Sequence, residues 1–337
     1  MAAIGSDTVL VPDVQVQEDE ESSLGEDTSS STQSLTSSIV DYRRENGRTY
    51  HRYKDGKYNL PNDDQEAERL AKWDTRKDLQ HHLFLLTFDD KLGLAPPNEP
   101  DSQVKRVLDL GTGTGIWATD FGDEHPGAHV VGIDLSPIQP SFVPPNVEFF
   151  VDDIDEEWNH SQPFEYIYSR MMTSSIANWR EYLKKIYDNL SPGGYAELQE
   201  ADLFLSSDDD TLKPDQPLAR CLQLMHEASV KFGRAFQEIE PLKAMMSEVG
   251  FVDVVQTRRK WPTNTWPQDP RHKELGAWSR MNLDGGLEAF TMAPLTRAHG
   301  WEKDQVTLFL VDVRKDLNNR GIHAYWPVYS IYGRKPE

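Results

Sequence analysis

The sequence of 337 residues is nearly without cysteine: Cys221 is the only one, so neither an internal disulfide framework nor a thiolate cluster for zinc or iron and sulfur can be built from it. No apolar run comes near the roughly 18 residues that would cross a bilayer, and mean hydropathy is −0.65. Basic residues are scarce. Thirty-five Lys and Arg face 56 Asp and Glu, a net charge of −21. That balance repels phosphate backbones and anionic lipid unless a local basic face overrides it, so nucleic acid is not an expected partner. The first residues, Met1 to Asp7, have neither the basic start and apolar stretch of a secretory signal nor the Arg-rich character of a transit peptide. The expected location is cytoplasm or nucleus.

The leading stretch lacks more. Residues 1–40 contain no Lys, no Arg and no aromatic residue, but eight acids, whose removal brings the net charge from −21 to −13. With Ser and Thr crowded between Ser22 and Ser38, it has too little apolar surface to offset the entropy of ordering its backbone. A disordered acidic tail is expected over 1–40. Composition changes at Tyr42, where Tyr50, Tyr53 and Tyr58 are interleaved with Arg43, Arg44, Arg48, Arg52, Lys54 and Lys57. In so acidic a chain those cations are expected to meet its own carboxylates rather than a nucleic acid. A helix start at Asn62-Asp63-Asp64, followed by Leu70, Trp73, Leu79, Leu83 and Phe84, predicts two helices, and Pro96-Pro97-Asn98-Glu99-Pro100 breaks the chain. Residues 41–100 are therefore expected as a helical N-terminal unit.

From Val104 the pattern alternates between strand and helix. Arg106–Leu110, Val130–Ile133, Val147–Val151, Tyr166–Tyr168 and Tyr195–Leu198 read as short strands, which predicts an α/β fold with a doubly wound, mostly parallel sheet. A helix over Pro241 to Val249, a strand over Phe251 to Thr257 and a last strand over Tyr325 to Tyr332 follow. Two further helical regions, about 211–235 and 271–319, are too large for loops and are expected to cap the carboxyl edge of the sheet. The corresponding domain is 101–337, with insertions at about 201–240 and 261–322.

Val107-Leu108-Asp109-Leu110-Gly111-Thr112-Gly113-Thr114-Gly115 runs a buried strand into a glycine turn and then a helix. Glycines let backbone approach a ligand closely, and the helix start offers free amide donors. The spacing is G-x-G-x-G, with Ile116 where a dinucleotide fingerprint has its third glycine. Asp134 ends the second strand, where a carboxylate can accept from ribose hydroxyls. Asp152-Asp153-Ile154 ends the third, adding an acid that could accept from an adenine amino group. Either aspartate is also compatible with a plain surface acid. Asp109 would suit a cationic sulfonium and ammonium better than a pyrophosphate, so the acidic lining favours S-adenosylmethionine over NAD.

These stretches resemble the class I S-adenosylmethionine-dependent methyltransferases, specifically the LaeA-like methyltransferases of filamentous fungi. The likeness is carried by Glu45–His51, Tyr58–Asp63, Asp78–His82, Leu108–Trp117, Gly132–Pro140, Ser169–Met172 and Leu190–Tyr195, and spans about residues 42–337. It implies a seven-stranded Rossmann-like sheet whose final antiparallel strand is the Tyr325 to Tyr332 segment, with a helical lid before it. It also implies that Gly111, Gly113 and Gly115 embrace the methionine part of the cofactor, that Asp134 holds ribose, and that Asp153 with the Ile154 backbone meets adenine, with Asp109, Thr112, Leu135 and Asp152 also expected at the cofactor. Tyr58 is expected either to close over the cofactor or simply to pack, and Ser169 and Arg170 are expected among the cofactor-binding residues. The partners implied are a small-molecule methyl acceptor or, for a regulator of the same family, a velvet-type nuclear protein.

Methyl transfer is an in-line displacement at an activated sulfur, so alignment can suffice without a general base. No obligatory catalytic residue follows; the candidates are Arg170, Glu200 and His226, with His81 or His82 before the sheet. Arg170 could bind a substrate carboxylate or brace its loop, and His226 lies on a helix whose Leu218, Leu222 and Met225 suggest packing. His81 and His82 are adjacent rather than four apart, which does not suit a metal, and none is expected.

Overall fold

The computed structural model describes residues 9–13, 43–46, 48–50 and 79–337. In chain order, β1 (Arg43–Glu45) and β2 (Arg48–Tyr50) form an antiparallel hairpin, and α1 (Leu79–Thr87) follows. The first alternating unit is β3 (Arg106–Leu110), α2 (Ile116–Glu124), β4 (His129–Asp134), β5 (Val147–Val151) and β6 (Phe164–Arg170). Next come α3 (Trp179–Asn189), β7 (Leu190–Ala201), the short β8 (Ser206–Ser207) and α4 (Pro217–Lys231). The chain continues through α5 (Leu242–Val249), β9 (Val252–Pro262), α6 (Pro270–His299), α7 (Lys303–Asn318) and β10 (Ala324–Arg334).

The sheet order is β5-β4-β3-β6-β7-β10-β9, with β8 beside the start of β10. The pairings from β5 through β7 are parallel, while β10 is antiparallel to both β7 and β9. The chain leaves β3 toward one edge and returns to the other side of it as β6. That reversal opens a crevice at the carboxyl ends of the strands. The strands read from sequence overlap β3 to β7, β9 and β10, and the capping regions hold α4, α6 and α7.

Both faces of the central strands are covered, which is why β3 has four buried residues out of five. Leu108, Leu110 and Ile167 meet Leu183, Ile186 and Met246 of α3 and α5. On the opposite face Val107, Val130 and Tyr166 meet Trp117 and Phe121 of α2. A separate cluster joins the cap to the sheet, with Leu83 and Phe84 of α1 packed among Leu275, Leu287, Leu310 and Val328. Helix ends are locally encoded. Asn178 accepts the amides of Arg180 and Glu181 to start α3, Asp269 caps α6 ahead of Pro270, and Glu302 with Gln305 forms a capping box on α7.

Two expectations change. Residues 43–45 and 48–50 are paired strands of a hairpin, not part of a helical unit. Its Glu45 pairs with Arg297 at 2.7 Å, and the Arg297 guanidinium lies over the buried Tyr50 ring. Tyr58 and the helix start at Asn62 lie outside the described residues. Within the acidic leader, residues 9–13 pack on the domain. Leu10 is buried with Trp266 and Tyr325, the Gln268 amide donates to the Val11 carbonyl at 2.6 Å, and Asp13 pairs with Lys273 and Arg320. Val9-Leu10-Val11-Pro12 is a small apolar island that the composition of the whole leader masks. Among the described residues no helix is long and apolar enough to cross a membrane, and no three His, Cys, Asp or Glu side chains converge on a metal position.

Candidate active site at the carboxyl edge of the sheet

A cavity of about 360 Å³ occupies the crevice beyond β3 to β6, roofed by α4 and α6. The glycine turn at its floor divides its labour. Gly111, Gly113 and Gly115 all have positive φ, 68°, 55° and 78°, which L side chains resist. A side chain on Gly111 would run into Met172, and one on Gly115 into the Phe149 ring. Those two glycines serve packing. A Cβ on Gly113 would meet nothing within 4 Å, because that residue faces the open cavity.

Acids surround the turn. Asp109 is buried and accepts the Thr112 hydroxyl at 2.5 Å. Burial pushes its carboxyl up to about 6, against the Thr112 hydrogen bond and the nearby Arg170 charge, which lower it. Asp134 is also raised by burial, opposed by amide hydrogen bonds. Its two oxygens accept the Gly113 and Ser136 amides, each at 2.9 Å, so one carboxylate ties the glycine turn to the end of β4. Asp152 accepts the Asp153 amide at 2.8 Å, and buried Asp153 accepts that of Asp155 at 3.0 Å. Thr112, Leu135, Asp152, Asp153 and Ile154 all line the same end of the cavity.

Arg170, the last residue of β6, lines the cavity while reaching α1. Its Nη1 lies 3.1 Å from Nδ1 of His81, whose Nε2 lies 3.0 Å from Asp120, and its guanidinium sits over the Phe84 ring. Arginine can only donate, so Nδ1 accepts and the imidazole proton belongs on Nε2, facing Asp120. Of the two roles open to Arg170 in the sequence, bracing is the one in place, and it holds α1 and the cavity-lining Gln80 over the site.

Four expected residues are not brought to the cavity. Gly115 packs beneath it. Ser169 precedes Arg170 on a strand and so points to the opposite face, where it accepts the Tyr182 hydroxyl at 2.8 Å. Glu200 is fully buried below the loop after β6 and accepts the Met172 and Thr173 amides at 2.9 and 3.1 Å, with burial pushing its carboxyl up to about 8. His226 stands between the rings of Phe204 and Phe236 rather than among the lining residues. Sequence reasoning missed Thr173 and Arg234. Arg234 donates to the Ser175 carbonyl and, at 2.7 Å, to Asp155, closing the segment after α4 onto the acidic loop. An arginine after a capping helix carries no local signal of that contact.

A family model described as a methyltransferase domain matches residues 79–256. Methyltransferase pytC of Aspergillus terreus is 41% identical over 311 residues, 92% of this chain and 93% of its own length. Probable methyltransferase tdiE of Emericella nidulans is 38% identical, with 81% and 83% covered. Secondary metabolism regulator laeA of Aspergillus fumigatus is 33% identical, with 87% and 76% covered. Among solved structures, phosphoethanolamine N-methyltransferase 2 of Haemonchus contortus is 18% identical with a TM-score of 0.44, covering 70% of this chain and 49% of that one. The methyltransferase-domain match spans more than half the sequence and these relatives exceed 30% identity along most of it, so the chain belongs to the class I S-adenosylmethionine-dependent methyltransferases, in the LaeA-like family.

Proposed function

We propose that the protein methylates a small molecule of fungal secondary metabolism, held in the same cavity as the cofactor. The observation that carries this reading is the continuity of the cavity. Its acidic end at the glycine turn runs directly into an apolar chamber walled by α4 and α6.

The residues at the acidic end fit S-adenosylmethionine: Gly113 leaves an open cradle, and buried carboxylates face a ligand that carries positive charge. When bound, that cofactor supplies a methyl group on a cationic sulfur, already activated for displacement. Asp109 would offset its positive charge, Asp134 would hold the ribose hydroxyls, and Asp153 with the Ile154 backbone would receive the adenine edge. The Asp120–His81–Arg170 chain keeps α1 closed on the site and excludes water, which strengthens every electrostatic contact within. The apolar chamber places the acceptor in line, and alignment supplies the rate.

A second reading is favoured by the likeness to proteins named secondary metabolism regulators: action in a nuclear complex with a velvet-type partner. Purified protein, labelled S-adenosylmethionine and a fungal metabolite extract separate the two. Label in extractable small molecules is expected. Label confined to protein, or no release of S-adenosylhomocysteine from a protein that binds the cofactor, would favour the regulator.

A further inference from the structure

The loop Met171–Ser175 stands where the acidic and apolar halves of the cavity meet, and its backbone is clamped on every side. The Met171 amide donates to Gln199, those of Met172 and Thr173 donate to Glu200, and the Ser175 carbonyl accepts from Arg234. Met171 is held at φ 55°, a conformation that a non-glycine residue keeps only when its surroundings enforce it. The clamp presents Thr173. This residue lines the cavity and is only 2% exposed, yet its hydroxyl is buried without a hydrogen-bond partner among the described residues. Buried hydroxyls are normally paired, and an orphan beside a cavity is recovered by a ligand atom.

The α4 and α6 walls of the chamber beyond Thr173 carry no charged side chain, and the charged lining residues Arg234 and Asp155 pair with each other at 2.7 Å. One face of α6 contributes Ser279, Leu283, Leu287, Phe290 and Pro294 at helical spacing, opposite Leu222 and Met225 of α4. The Cys221 thiol there is pushed up to about 12 by burial and stays neutral. Such walls penalise a charged guest by removing its hydration without replacing it.

We propose that Thr173 orients the methyl acceptor, and that the acceptor is a neutral apolar molecule presenting a phenol- or enol-type hydroxyl. This rests on the methyltransferase reading above. A phenol or enol suits walls that offer no general base, because its proton can pass to solvent as its oxygen attacks, so that no free anion is held in the chamber. The acceptor oxygen then supplies the electron pair of the new O–CH3 bond. The CH3–S bond breaks with its pair left on sulfur, giving neutral S-adenosylhomocysteine.

The test is calorimetry on protein saturated with S-adenosylhomocysteine, using four probes of one shape: 2-naphthol, naphthalene, 2-naphthoate and 2-naphthylmethylammonium. The naphthol is expected to bind about tenfold or more tighter than either ion and about three- to tenfold tighter than naphthalene. Thr173→Val, which keeps the shape, should erase the margin over naphthalene and leave S-adenosylhomocysteine affinity unchanged, while Thr173→Ser should retain the margin. An ion bound as tightly as the naphthol would overturn the acceptor class, as would no naphthol binding by protein that binds S-adenosylhomocysteine. A margin that survives in Thr173→Val would overturn the role of Thr173. Failure to bind S-adenosylhomocysteine at all would overturn the cofactor reading, and this proposal with it.

Discussion

Asp109 is a carboxylate whose environment works against its charge, and that fact carries a pH dependence. Burial raises it from 3.8 to about 6, so the folded protein binds this proton more tightly than the unfolded chain does. Its contribution to stability is therefore complete below the unfolded value and is lost as pH rises through about 6. A cationic cofactor favours the ionised form, so affinity for S-adenosylmethionine should climb with pH through about 6 and then level off. Calorimetry from pH 5 to 8 checks this, and Asp109→Asn should flatten the curve. Asp134→Ala should weaken cofactor binding by about 1 to 3 kcal/mol, the scale for losing hydrogen bonds to a charged acceptor. An unchanged dissociation constant in a folded mutant would place that carboxylate outside the site. These acids were legible in the sequence because each stands at or next to the last residue of a strand, and strand ends in a doubly wound sheet converge on one edge. Ser169, Glu200 and His226 were not. Which face a side chain takes depends on strand phase and on the loop it must satisfy, and Glu200 spends both oxygens on the amides of Met172 and Thr173.

At the scale of elements, the glycine turn separates packing from binding in a way that single substitutions can reveal. Gly113→Ala meets open space, so its cost is the strain of a positive φ, about 1 to 2 kcal/mol, while its methyl group enters the cavity. It should fold and lose cofactor affinity. Gly115→Ala must displace the Phe149 ring and should lose thermal stability first. Thermal melts with and without S-adenosylhomocysteine distinguish the two: the ligand should raise Tm in Gly115→Ala and fail to do so in Gly113→Ala. The sequence pattern located the turn but could not assign these roles, since the neighbours of each glycine come from β5 and from the loop after β6. It likewise placed β7 at Tyr195–Leu198. The strand runs from Leu190, because Gly193 at φ 78° lets the Pro192-Gly193-Gly194 stretch pair with Lys335 instead of turning away.

For the whole molecule, alternation of short apolar runs with helices predicted the doubly wound sheet, and the family resemblance its antiparallel last strand, whereas contacts between distant segments stayed hidden. The docking of Leu10 on Trp266 and Tyr325 is the clearest case, a few apolar residues inside an acidic leader. Removing residues 1–13 should cost about 1 to 3 kcal/mol, the scale of burying one leucine with its neighbours, and lower Tm by several degrees. Leu10→Ser should reproduce most of that loss, and an unchanged Tm in both would detach the segment from the fold. Cofactor affinity should stay the same, because this contact lies outside the cavity walls. What unites the molecule is one cavity shared by an acidic glycine turn and an apolar cap. The most direct measurement is calorimetry of the purified protein with S-adenosylhomocysteine and, separately, with NAD. Binding of S-adenosylhomocysteine, weakened in Asp134→Ala, with no response to NAD, is the predicted result. Binding of NAD with no response to S-adenosylhomocysteine would contradict the account.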